Sequence, residues 1–594
     1  MVEFRGYQEE ALGTALDLTH LRRLWPFVRP YRAGFLVAIG ILAVSFAVEL
    51  AGPYVLRLTL DGPVADAVAG RSVDRATIWW LGAAYLAVTL LGAGLGYAYA
   101  LVTTWCGQRV IRDVRSRLFE HVLGLGPRFF ETNPAGKLVT RVTSDVENLN
   151  ELIATGVLQS LFDLLKIVGI LAALFWIDPV LALYTLAVTP VVVGISLLFR
   201  RFARDAYRRV RTRLARQNAF TAEAVGGMRT TRVFLQEDAV RGHYHELNRA
   251  TQGAWIDTVV SFSLFFSVMD FVLRASQAGI LWFGGQHLLE GTLSVGAFGQ
   301  FWLLYNKLTD PIRELGEKYN VLQSAFSSSE RIFQILDRPP DLRLPAAPRP
   351  TAKGPAALRF EHVWFAYREG MPVLQDIDLA IAQGQVVAVV GPTGAGKTTL
   401  LSLLSRLRDP DSGRVLLDGV DLRDLDLTAL RRRIAVVQQD VFLFTGTVLD
   451  NVRLFDPAIP EAKAEAALRA VGAWEFVQRL PDGLHAKVEE RGATFSQGER
   501  QLLSFARAIA HDPDVLILDE ATANIDTASE ARIQEGLRVL LQGRTSLVVA
   551  HRLSTVQRAD RIVVLQRGRI VEDGDHASLL ARGGLYARML HRVG

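Results

Sequence analysis

Six long apolar segments in the first half of the chain restrict its fold more than any other feature. They contain few or no charged residues and cover residues 33–56, 76–108, 152–177, 179–199, 258–289 and 291–306. A helix of about 20 apolar residues crosses a bilayer, and in lipid it satisfies its own backbone hydrogen bonds. We therefore expect six transmembrane helices. The sixth is the weakest, because Lys307, Asp310 and Pro311 follow it.

The loops between these segments differ in positive charge. Residues 107–155 carry seven Lys and Arg and residues 200–256 carry twelve, whereas residues 61–75 carry two and residues 286–296 carry none. Positively charged loops stay in the cytoplasm, so we expect both termini and the two long basic loops there. Residues 19–32 mix four arginines with apolar side chains, which predicts an amphipathic helix on the membrane surface.

Each long basic loop keeps a helical pattern that is broken once. The first break, 130–145, contains Pro134, and the second, 224–238, contains Gly226 and Gly227. Pro and Gly are turn signals inside otherwise helical sequence. Two interpretations remain open: a short transverse helix at each tip that contacts a cytoplasmic partner, or an ordinary turn of a helical hairpin.

Several charged residues lie in or beside the predicted spans. Their spacing defines three pairs: Asp163 with Lys166, Asp270 with Arg274, and Glu49 with Arg57. Residues three or four apart share a helix face and can pair directly, whereas the third pair is eight apart. Charges at this depth face a bundle interior or a wet cavity. They are candidates for a polar translocation path and, equally, for structural pairing.

The second half of the chain has a different composition. Residues 338–356 contain six prolines and no hydrophobic periodicity, which predicts a linker. Alternating strand and helix signals follow, typical of an α/β domain. The expected division is an N-terminal segment (1–32), a membrane domain (33–337), the linker, and an α/β domain (357–594). The single cysteine excludes an intrachain disulfide and a Cys-based zinc site, and a net charge of only +5 with arginines gathered in loops argues against nucleic acid as a partner.

A phosphate-binding motif opens the α/β domain. Residues 391–398 read GPTGAGKT, after a β-branched run and before a helical pattern, the context that G-x-x-x-x-G-K-[ST] requires. Glycines let backbone N–H groups surround phosphate oxygens, Lys397 adds a cation, and Thr398 offers a hydroxyl to Mg²⁺. The residues expected to bind ATP here are Gly391, Thr393, Gly394, Ala395, Gly396, Lys397, Thr398 and Thr399.

Other residues fit the same chemistry. The apolar run VLIL ends in Asp519, a carboxylate suited to Mg²⁺, and the adjacent Glu520 can polarise an attacking water. Gln439 offers an amide oxygen to the metal and His551 a neutral imidazole near the γ-phosphate, although each is weak by itself. Tyr367 could stack on adenine; the alternative is an ordinary strand aromatic.

A second anion-binding pattern follows at residues 493–501, ATFSQGERQ. Ser496 and Gly498 stand at the start of a predicted helix, where backbone N–H groups favour an anion. Because one phosphate loop is already complete, this second element is surplus in a monomer. It predicts dimerisation, with ATP held between the loop of one subunit and the helix start of another.

Taken together, these motifs resemble an ATP-binding-cassette (ABC) transporter of the exporter half-transporter type, as in lipid flippases and multidrug exporters. The order is Tyr367, GPTGAGKT, Gln439, FSQGER, LILDE, ANID and His551. The resemblance implies a six-helix membrane bundle with cytoplasmic extensions, fused to an α/β P-loop domain of ABC type, in a bacterial inner membrane. It also implies that ATP and Mg²⁺ are the cofactors.

The resemblance further implies roles for individual residues. Thr398, Gln439 and Asp519 would hold Mg²⁺, Glu520 would be the catalytic base and His551 the switch histidine. The signature residues acting in trans would be Ser496, Gln497, Gly498 and Glu499, with Asp526 in the loop that connects the two sites. The two breaks would be coupling helices, sensed by Arg491 and Gly492.

Two departures from the family pattern bear on assembly. The signature LSGGQ reads FSQGE here, and the loop after the catalytic glutamate reads ATANID instead of S-A-L-D. The sequence of this loop resembles that of the glutamate-bearing subunit in heterodimeric bacterial exporters. This resemblance favours a heterodimer over a homodimer.

The expected function is ATP-driven export of an amphipathic drug, peptide or lipid by alternating access. The alternatives are an ATP-gated channel or regulator on the same scaffold, and a homodimeric lipid flippase.

Overall fold

A computed structural model describes residues 18–351, 354, 356–368, 370–519, 527–550 and 553–593. Internal contacts divide the chain into two compact units. The first consists of the residues before 123 together with 136–337, and the second of residues 123–135 together with 338–594. The main division at 337/338 coincides with the start of the expected linker. Residues 123–135 and the linker itself both belong to the second unit.

The first unit and residues 123–135 are helical in the described part of the chain. The helices are α1 (Leu18–Val28), α2 (Arg32–Thr59), α3 (Ala65–Val68), α4 (Arg75–Gly124), α5 (Pro127–Thr132), α6 (Ala135–Thr140), α7 (Val146–Glu151), α8 (Val157–Ile177), α9 (Pro179–Gly226), α10 (Met228–Val233), α11 (Glu237–Leu289) and α12 (Val295–Leu336). Six of these, α2, α4, α8, α9, α11 and α12, contain at least 21 residues. Each of the six apolar segments lies largely on one of these helices.

Four helical stretches of the described chain are long and apolar enough to cross a membrane. They are Arg22–Val68, Arg75–Gly124, Leu158–Ile177 and Glu237–Leu289. A shorter apolar stretch, Pro179–Val192, opens α9. The helical fold class is thereby confirmed, whereas the number of six spans stays a prediction.

The long helices have apolar outer surfaces and few internal contacts in their most hydrophobic windows. Trp79, Trp80, Tyr97 and Trp176 are each more than 70% exposed, as expected for side chains that face lipid or the interfacial region. Inside the unit, α12 packs along α2 and α8, and α9 packs along α11. The helices therefore bury a limited core and leave apolar faces for the membrane.

Short helices occupy both breaks in the basic loops. α5 and α6 lie at the first break, and α10 lies at the second, between Gly227 and Phe234. A short helix is present at both positions, which either of the two interpretations allows. Contact of these helices with a cytoplasmic partner stays a prediction.

The charged residues of the spans pair differently from what sequence spacing suggested. Asp270 and Arg274 form the expected pair at 2.7 Å. The pairing of Asp163 with Lys166 is wrong, because Asp163 bonds to Lys318 of α12. Lys166 instead lies 3.2 Å from Glu49 of α2. The choice of partner follows from helix packing, which brings α2, α8 and α12 together.

Arg57 also has partners of its own. Its Nε lies 3.5 Å from Asp61 and its Nη1 lies 3.4 Å from Gln300 of α12. As expected from their spacing, Arg57 and Glu49 make no direct ion pair with each other among the contacts of the described residues.

A buried ionic cluster ties the segment after α6 to the C-terminal part of α12. The carboxylate of Asp145, 3% exposed, accepts hydrogen bonds from Arg331 Nε at 3.1 Å, Arg141 Nη1 at 2.6 Å and Ser328 Oγ at 3.0 Å. Burial by itself raises the pKa of Asp145, but the hydrogen bonds from Arg331 and Arg141 outweigh it and lower this pKa. The cluster fixes the position of residues 141–145 against α12.

The second unit contains the strands and the remaining helices. Its strands are β1 (Leu358–Arg368), β2 (Met371–Ile381), β3 (Val386–Val390), β4 (Ser412–Leu417), β5 (Val420–Asp421), β6 (Ile434–Val437), β7 (Gly446–Thr447), β8 (Lys487–Val488), β9 (Val515–Asp519), β10 (Thr545–Val549), β11 (Arg561–Gln566) and β12 (Arg569–Gly574). Its helices are α13 (Lys397–Leu404), α14 (Leu427–Arg433), α15 (Val448–Arg453), α16 (Glu461–Ala470), α17 (Trp474–Gln478), α18 (Gln497–Ala510), α19 (Thr527–Leu541), α20 (Leu553–Val556), α21 (His576–Ala581) and α22 (Leu585–Val593).

The main sheet has the order β12-β11-β3-β10-β9-β6, and an antiparallel sheet has the order β2-β1-β4-β5. β11, β3, β10, β9 and β6 run parallel, while β12 is antiparallel at the edge. β3 is central and buried on both faces: Ala388 and Val390 enter one hydrophobic core, Val387 and Val389 the other. A continuous apolar run is what such a strand requires.

The proline-rich linker is fastened to the second unit. Buried Arg406 donates to the carbonyl oxygen of Arg343 at 3.0 Å, and buried Arg433 donates to that of Gly354 at 3.2 Å. The backbone N–H of Arg349 donates to Asp424 O at 2.8 Å. The linker therefore follows the surface of the α/β unit over the part that the structure describes.

Candidate nucleotide-binding site

The parallel sheet brings the predicted nucleotide residues to one edge. β3 ends just before Gly391, β6 ends two residues before Gln439, and β9 ends at Asp519. Parallel strands place their carboxyl ends on the same side of a sheet, where ligands of α/β folds bind. The topology thus gathers the phosphate loop, an amide and a carboxylate at one edge.

The backbone of the phosphate loop depends on its glycines. Gly394 has φ +81° and Gly396 has φ +103°, a region that side-chain-bearing residues rarely adopt. A Cβ at Gly396 would also lie 2.7 Å from Leu374 Cδ2. The loop therefore reaches the start of α13 in a conformation that needs glycine at these positions.

Lys397 lies within this loop. It is 8% exposed, and its Nζ donates to Gly391 O at 2.7 Å and to Pro392 O at 3.2 Å. The next residue, Thr398, is exposed at the first turn of α13. A buried ammonium held by loop carbonyls beside an exposed hydroxyl fits a site for a phosphate chain and its cation.

The donor set also fits magnesium. Thr398, Gln439 and Asp519 provide a hydroxyl, an amide oxygen and a carboxylate, all oxygen ligands. Among the described residues there is no group of three or more His, Cys, Asp or Glu side chains that could hold a metal.

Tyr367 is connected to the phosphate loop helix. Its hydroxyl lies 3.1 Å from Thr399 Oγ1, and its ring packs edge-on against Phe365. The guanidinium of Arg408 lies 4.7 Å from the ring centroid, and Arg408 also pairs with Glu131 of α5. The ring is 40% exposed, so it can accept a stacked base while its edge and hydroxyl stay fixed.

Sequence reasoning missed Arg408 and Glu131. Neither belongs to a motif, and they are separated by 277 residues. Beside them lies a cavity of about 580 Å³ lined by Arg128, Ala366, Tyr367, Arg368, Gly370 and Asp411. The segment 123–135, which carries α5, therefore contributes charged side chains next to the predicted base site.

The signature residues form a helix cap. Ser496 Oγ accepts from Glu499 N at 3.2 Å, and the Glu499 carboxylate accepts from Ser496 N at 2.8 Å. This reciprocal pattern is a capping box at the start of α18. Gly498 is buried in the first turn, whereas Gln497 is exposed. The departure to Glu at position 499 thus serves the cap and places a carboxylate beside the helix N-terminus.

α18 is anchored to the segment that follows Gln439. Arg507 Nε donates to Asn451 O at 2.9 Å, and its Nη2 donates to Phe442 O at 3.2 Å. Burial lowers the pKa of Arg507 to about 10, so the group is still charged at neutral pH. These hydrogen bonds hold α18 against the segment that follows Gln439.

Three predicted residues lie outside the part of the chain that the structure describes. They are Glu520, Asp526 and His551. The loop residues Arg491, with φ +57°, and Gly492 are described and precede the capped helix. The roles assigned to all these residues stay predictions.

Comparisons with known proteins identify the family. A family model for the ABC transporter transmembrane region matches residues 35–312, and one for ABC transporter matches residues 374–523. The chain is 35% identical over 590 residues to an uncharacterized ABC transporter ATP-binding protein of Bacillus subtilis (strain 168), covering 98% of this chain and 96% of that protein.

Two further relatives carry functional names. The ATP-dependent lipid A-core flippase of Syntrophus aciditrophicus (strain SB) is 33% identical over 574 residues, covering 96% of this chain and 94% of that protein. The fatty acid ABC transporter ATP-binding/permease protein of Mycobacterium bovis is 36% identical over 524 residues, covering 88% and 83%.

Among solved structures, the fold matches a bacterial Atm1-family ABC exporter with ATP bound. The TM-score is 0.77 at 25% identity, and the match covers 95% of this chain and 98% of that one. In this chain a helical transmembrane domain is fused to a nucleotide-binding domain, and ATP hydrolysis is coupled to transport across the membrane. The chain therefore belongs to the ABC transporter family, as an exporter-type half-transporter.

Proposed function

We propose that this chain is one half of a dimeric exporter that moves an amphipathic substrate across the membrane by alternating access. The observation that carries the proposal is the gathering of the phosphate loop, Gln439 and Asp519 at one sheet edge of a chain that also carries apolar membrane helices. ATP-dependent domain closure would alter the membrane domain only if ATP binds more tightly to one of its conformations.

The proposed chemistry is hydrolysis of Mg-ATP. Lys397 binds the terminal phosphates, while Thr398, Gln439 and Asp519 hold the cation. Bound Mg²⁺ supplies positive charge that stabilises the transferring phosphoryl group. Glu520 orients and deprotonates the attacking water, and His551, two residues after β10 in the sequence, contacts the γ-phosphate. Both of these assignments rest on the family resemblance.

The proposed assembly places the capped start of α18 over the ATP of another subunit. Ser496, Gln497, Gly498 and Glu499 would act there in trans, with Asp526 between the two sites. We favour a heterodimer because the loop sequence ATANID resembles that of the glutamate-bearing subunit of heterodimeric exporters, and a homodimer is the alternative. Native mass spectrometry of the tagged chain, purified from its own membranes, tests this directly. A single complex whose mass is twice that of this chain would refute the heterodimer.

The proposed substrate class is amphipathic, with lipids favoured. Two relatives are named for lipid A core and for fatty acid, both amphiphiles. Drugs and peptides remain alternatives that a transport assay separates. Passive flux that is gated by ATP but runs only down a gradient would favour a channel or regulator instead.

The test of the hydrolytic assignment is Glu520→Gln in the purified complex. We expect multiple turnover to be lost, because the attacking water has no base, while ATP-bound closure is retained. Closure is measured by spin-label distances across the two nucleotide-binding domains. Normal steady-state hydrolysis in the variant would refute the role of Glu520.

A further inference from the structure

Three charged side chains from three different membrane helices meet at one point. Lys166 Nζ of α8 lies 3.2 Å from Glu49 Oε2 of α2, and Lys307 Nζ of α12 lies 3.6 Å from Glu49 Oε1. Lys307 also donates to the backbone carbonyl of Glu49 at 3.3 Å. We call Glu49, Lys166 and Lys307 the midplane triad.

The three residues of the triad lie at similar distances from the ends of their helices. Glu49 lies ten residues before the outer end of α2 at Thr59, Lys166 eleven before the end of α8 at Ile177, and Lys307 twelve after the start of α12 at Val295. At a rise of about 1.5 Å per residue, these positions are about 15–18 Å from the outer helix ends. Half of the hydrocarbon thickness is about 15 Å. Measured from these helix ends, the depth of the triad is close to half of the hydrocarbon thickness, and we use this depth for its name.

The triad carries an excess positive charge, because two ammonium groups share one carboxylate. The nearby Asp163 does not balance it, since Asp163 is 3% exposed at its side chain and bonds to Lys318. The second partner of Lys318, Glu314, lies 2.9 Å from it and seven residues beyond Lys307 on α12, about 10 Å along the axis. Asp310, three residues after Lys307, forms no ion pair with it among the contacts of the described residues. A second ammonium without a close counterion of its own is costly in a membrane, so a bound anion would stabilise it.

The triad is also accessible and lies beside aromatic rings. Side-chain exposures are 25% for Glu49, 23% for Lys166 and 38% for Lys307. Lys166 Nζ lies 4.9 Å from the centroid of Phe162, whose ring packs edge-on against Phe46. Phe162 is buried and Phe46 is half-buried, so the charged groups adjoin apolar side chains of the helix core.

We propose that the midplane triad is the head-group site for an anionic amphiphile, whose carboxylate or phosphate binds Lys166 and Lys307 while its chain lies against the half-exposed apolar side chains around Phe46. This proposal rests on the proposed export function and names the substrate class. Glu49 positions the two ammonium groups. Its carboxylate also competes with the anionic head group for them and so limits the affinity of the site for the amphiphile.

The test uses three C18 amphiphiles that differ only in head group: oleate, oleyl alcohol and oleylamine. The full-length complex in nanodiscs is titrated with each, and the ATPase rate is recorded. We expect oleate to stimulate hydrolysis at the lowest concentration. Lys307→Gln and Lys166→Gln should each raise the half-maximal oleate concentration by about tenfold or more, because each removes one short-range charge interaction.

Glu49→Gln is expected to act in the opposite direction. Removing the competing carboxylate should lower the half-maximal oleate concentration, and a misfolded variant cannot produce such a gain. Lys307→Arg, which keeps the charge, should keep the preference for oleate. Arg241→Gln is the control, because it removes one cation whose side chain is 66% exposed and lies outside the apolar segments; its oleate response should equal that of the parent chain.

Three results would overturn the proposal: equal stimulation by all three amphiphiles, a wild-type oleate response in Lys307→Gln, or stimulation by acetate or inorganic phosphate as strong as that by oleate. The last result would indicate a site for small anions only. ATP-driven transport of an amphiphile without head-group preference would refute this inference alone, whereas no ATP-driven transport of any amphiphile would refute the export function itself.

Discussion

The buried cluster around Asp145 predicts a large and specific loss of stability. Asp145→Asn keeps the shape of the side chain but removes the charge that compensates Arg331 and Arg141. Removing one partner of a buried ion pair costs about 3–5 kcal/mol, because the other charge is left buried and unpaired. For a unit of this size about 2 °C in Tm corresponds to each kcal/mol, so we expect the membrane domain to unfold at a temperature lower by about 6–10 °C.

The assay is thermal unfolding of the full-length complex in nanodiscs, followed by intrinsic fluorescence. Asp238→Asn is the control, since Asp238 forms a pair with Arg241 at 3.0 Å but its side chain is 94% exposed; exposed pairs contribute little, and we expect an unchanged transition. Adding Arg331→Met to Asp145→Asn should recover part of the loss. A transition of Asp145→Asn within about 1 °C of the parent chain would refute the account of this cluster.

Four further predictions concern pH and the nucleotide site. The lowered pKa of Asp145 means that its contribution is present at neutral pH and is lost as the pH falls through that pKa, so the Tm difference between the parent chain and Asp145→Asn should vanish in acid; a constant difference would contradict this. Tyr367→Ala should raise KM for ATP about tenfold with little change in kcat, since base stacking contributes about 1–1.5 kcal/mol; an unchanged KM would remove Tyr367 from the base site. Glu499→Gln keeps the cap but removes a carboxylate from the helix start, and should lower KM for ATP in ATPase assays, whereas a rise would argue against an anion there. Gly396→Ala should abolish binding of a fluorescent ATP analogue, because its φ is +103°, and retained binding would refute the strain argument.

Local features of the fold could be predicted from the sequence because they depend on neighbours in the chain. The run VVAVV predicted a buried strand, and it is β3, at the centre of the sheet. Residues four apart on a helix predicted the pair of Asp270 with Arg274. The phosphate loop follows from glycines and a lysine at fixed spacing, and its backbone has the conformation that the glycines permit.

Contacts between distant segments could not be predicted. Asp163 had a possible partner three residues away, but it bonds to Lys318, 155 residues further along the chain. Spacing along one helix indicates which of its residues are able to form a pair. The pairs that actually form depend on the packing of α8 against α12. Arg408 and Glu131 were missed beside Tyr367 for the same reason, since a single charged residue on a helix or loop carries no signal of its partner.

A signal for the midplane triad was present but incomplete. Glu49 and Lys166 stand out in the sequence as charges within apolar segments, whereas Lys307 indicates only that the sixth apolar segment ends early. Equal distances of the three from the outer ends of their helices would have suggested a common depth. Their convergence needed the packing of α12 against α2 and α8.

The most direct test of the central claim is ATP-driven uphill accumulation of an amphiphile in inside-out vesicles that contain the complex. We predict accumulation above the equilibrium level with Mg-ATP, inhibition by vanadate, and loss of accumulation in Glu520→Gln. Flux that only equilibrates the two sides, or accumulation that persists in Glu520→Gln, would contradict an exporter driven by hydrolysis at this site.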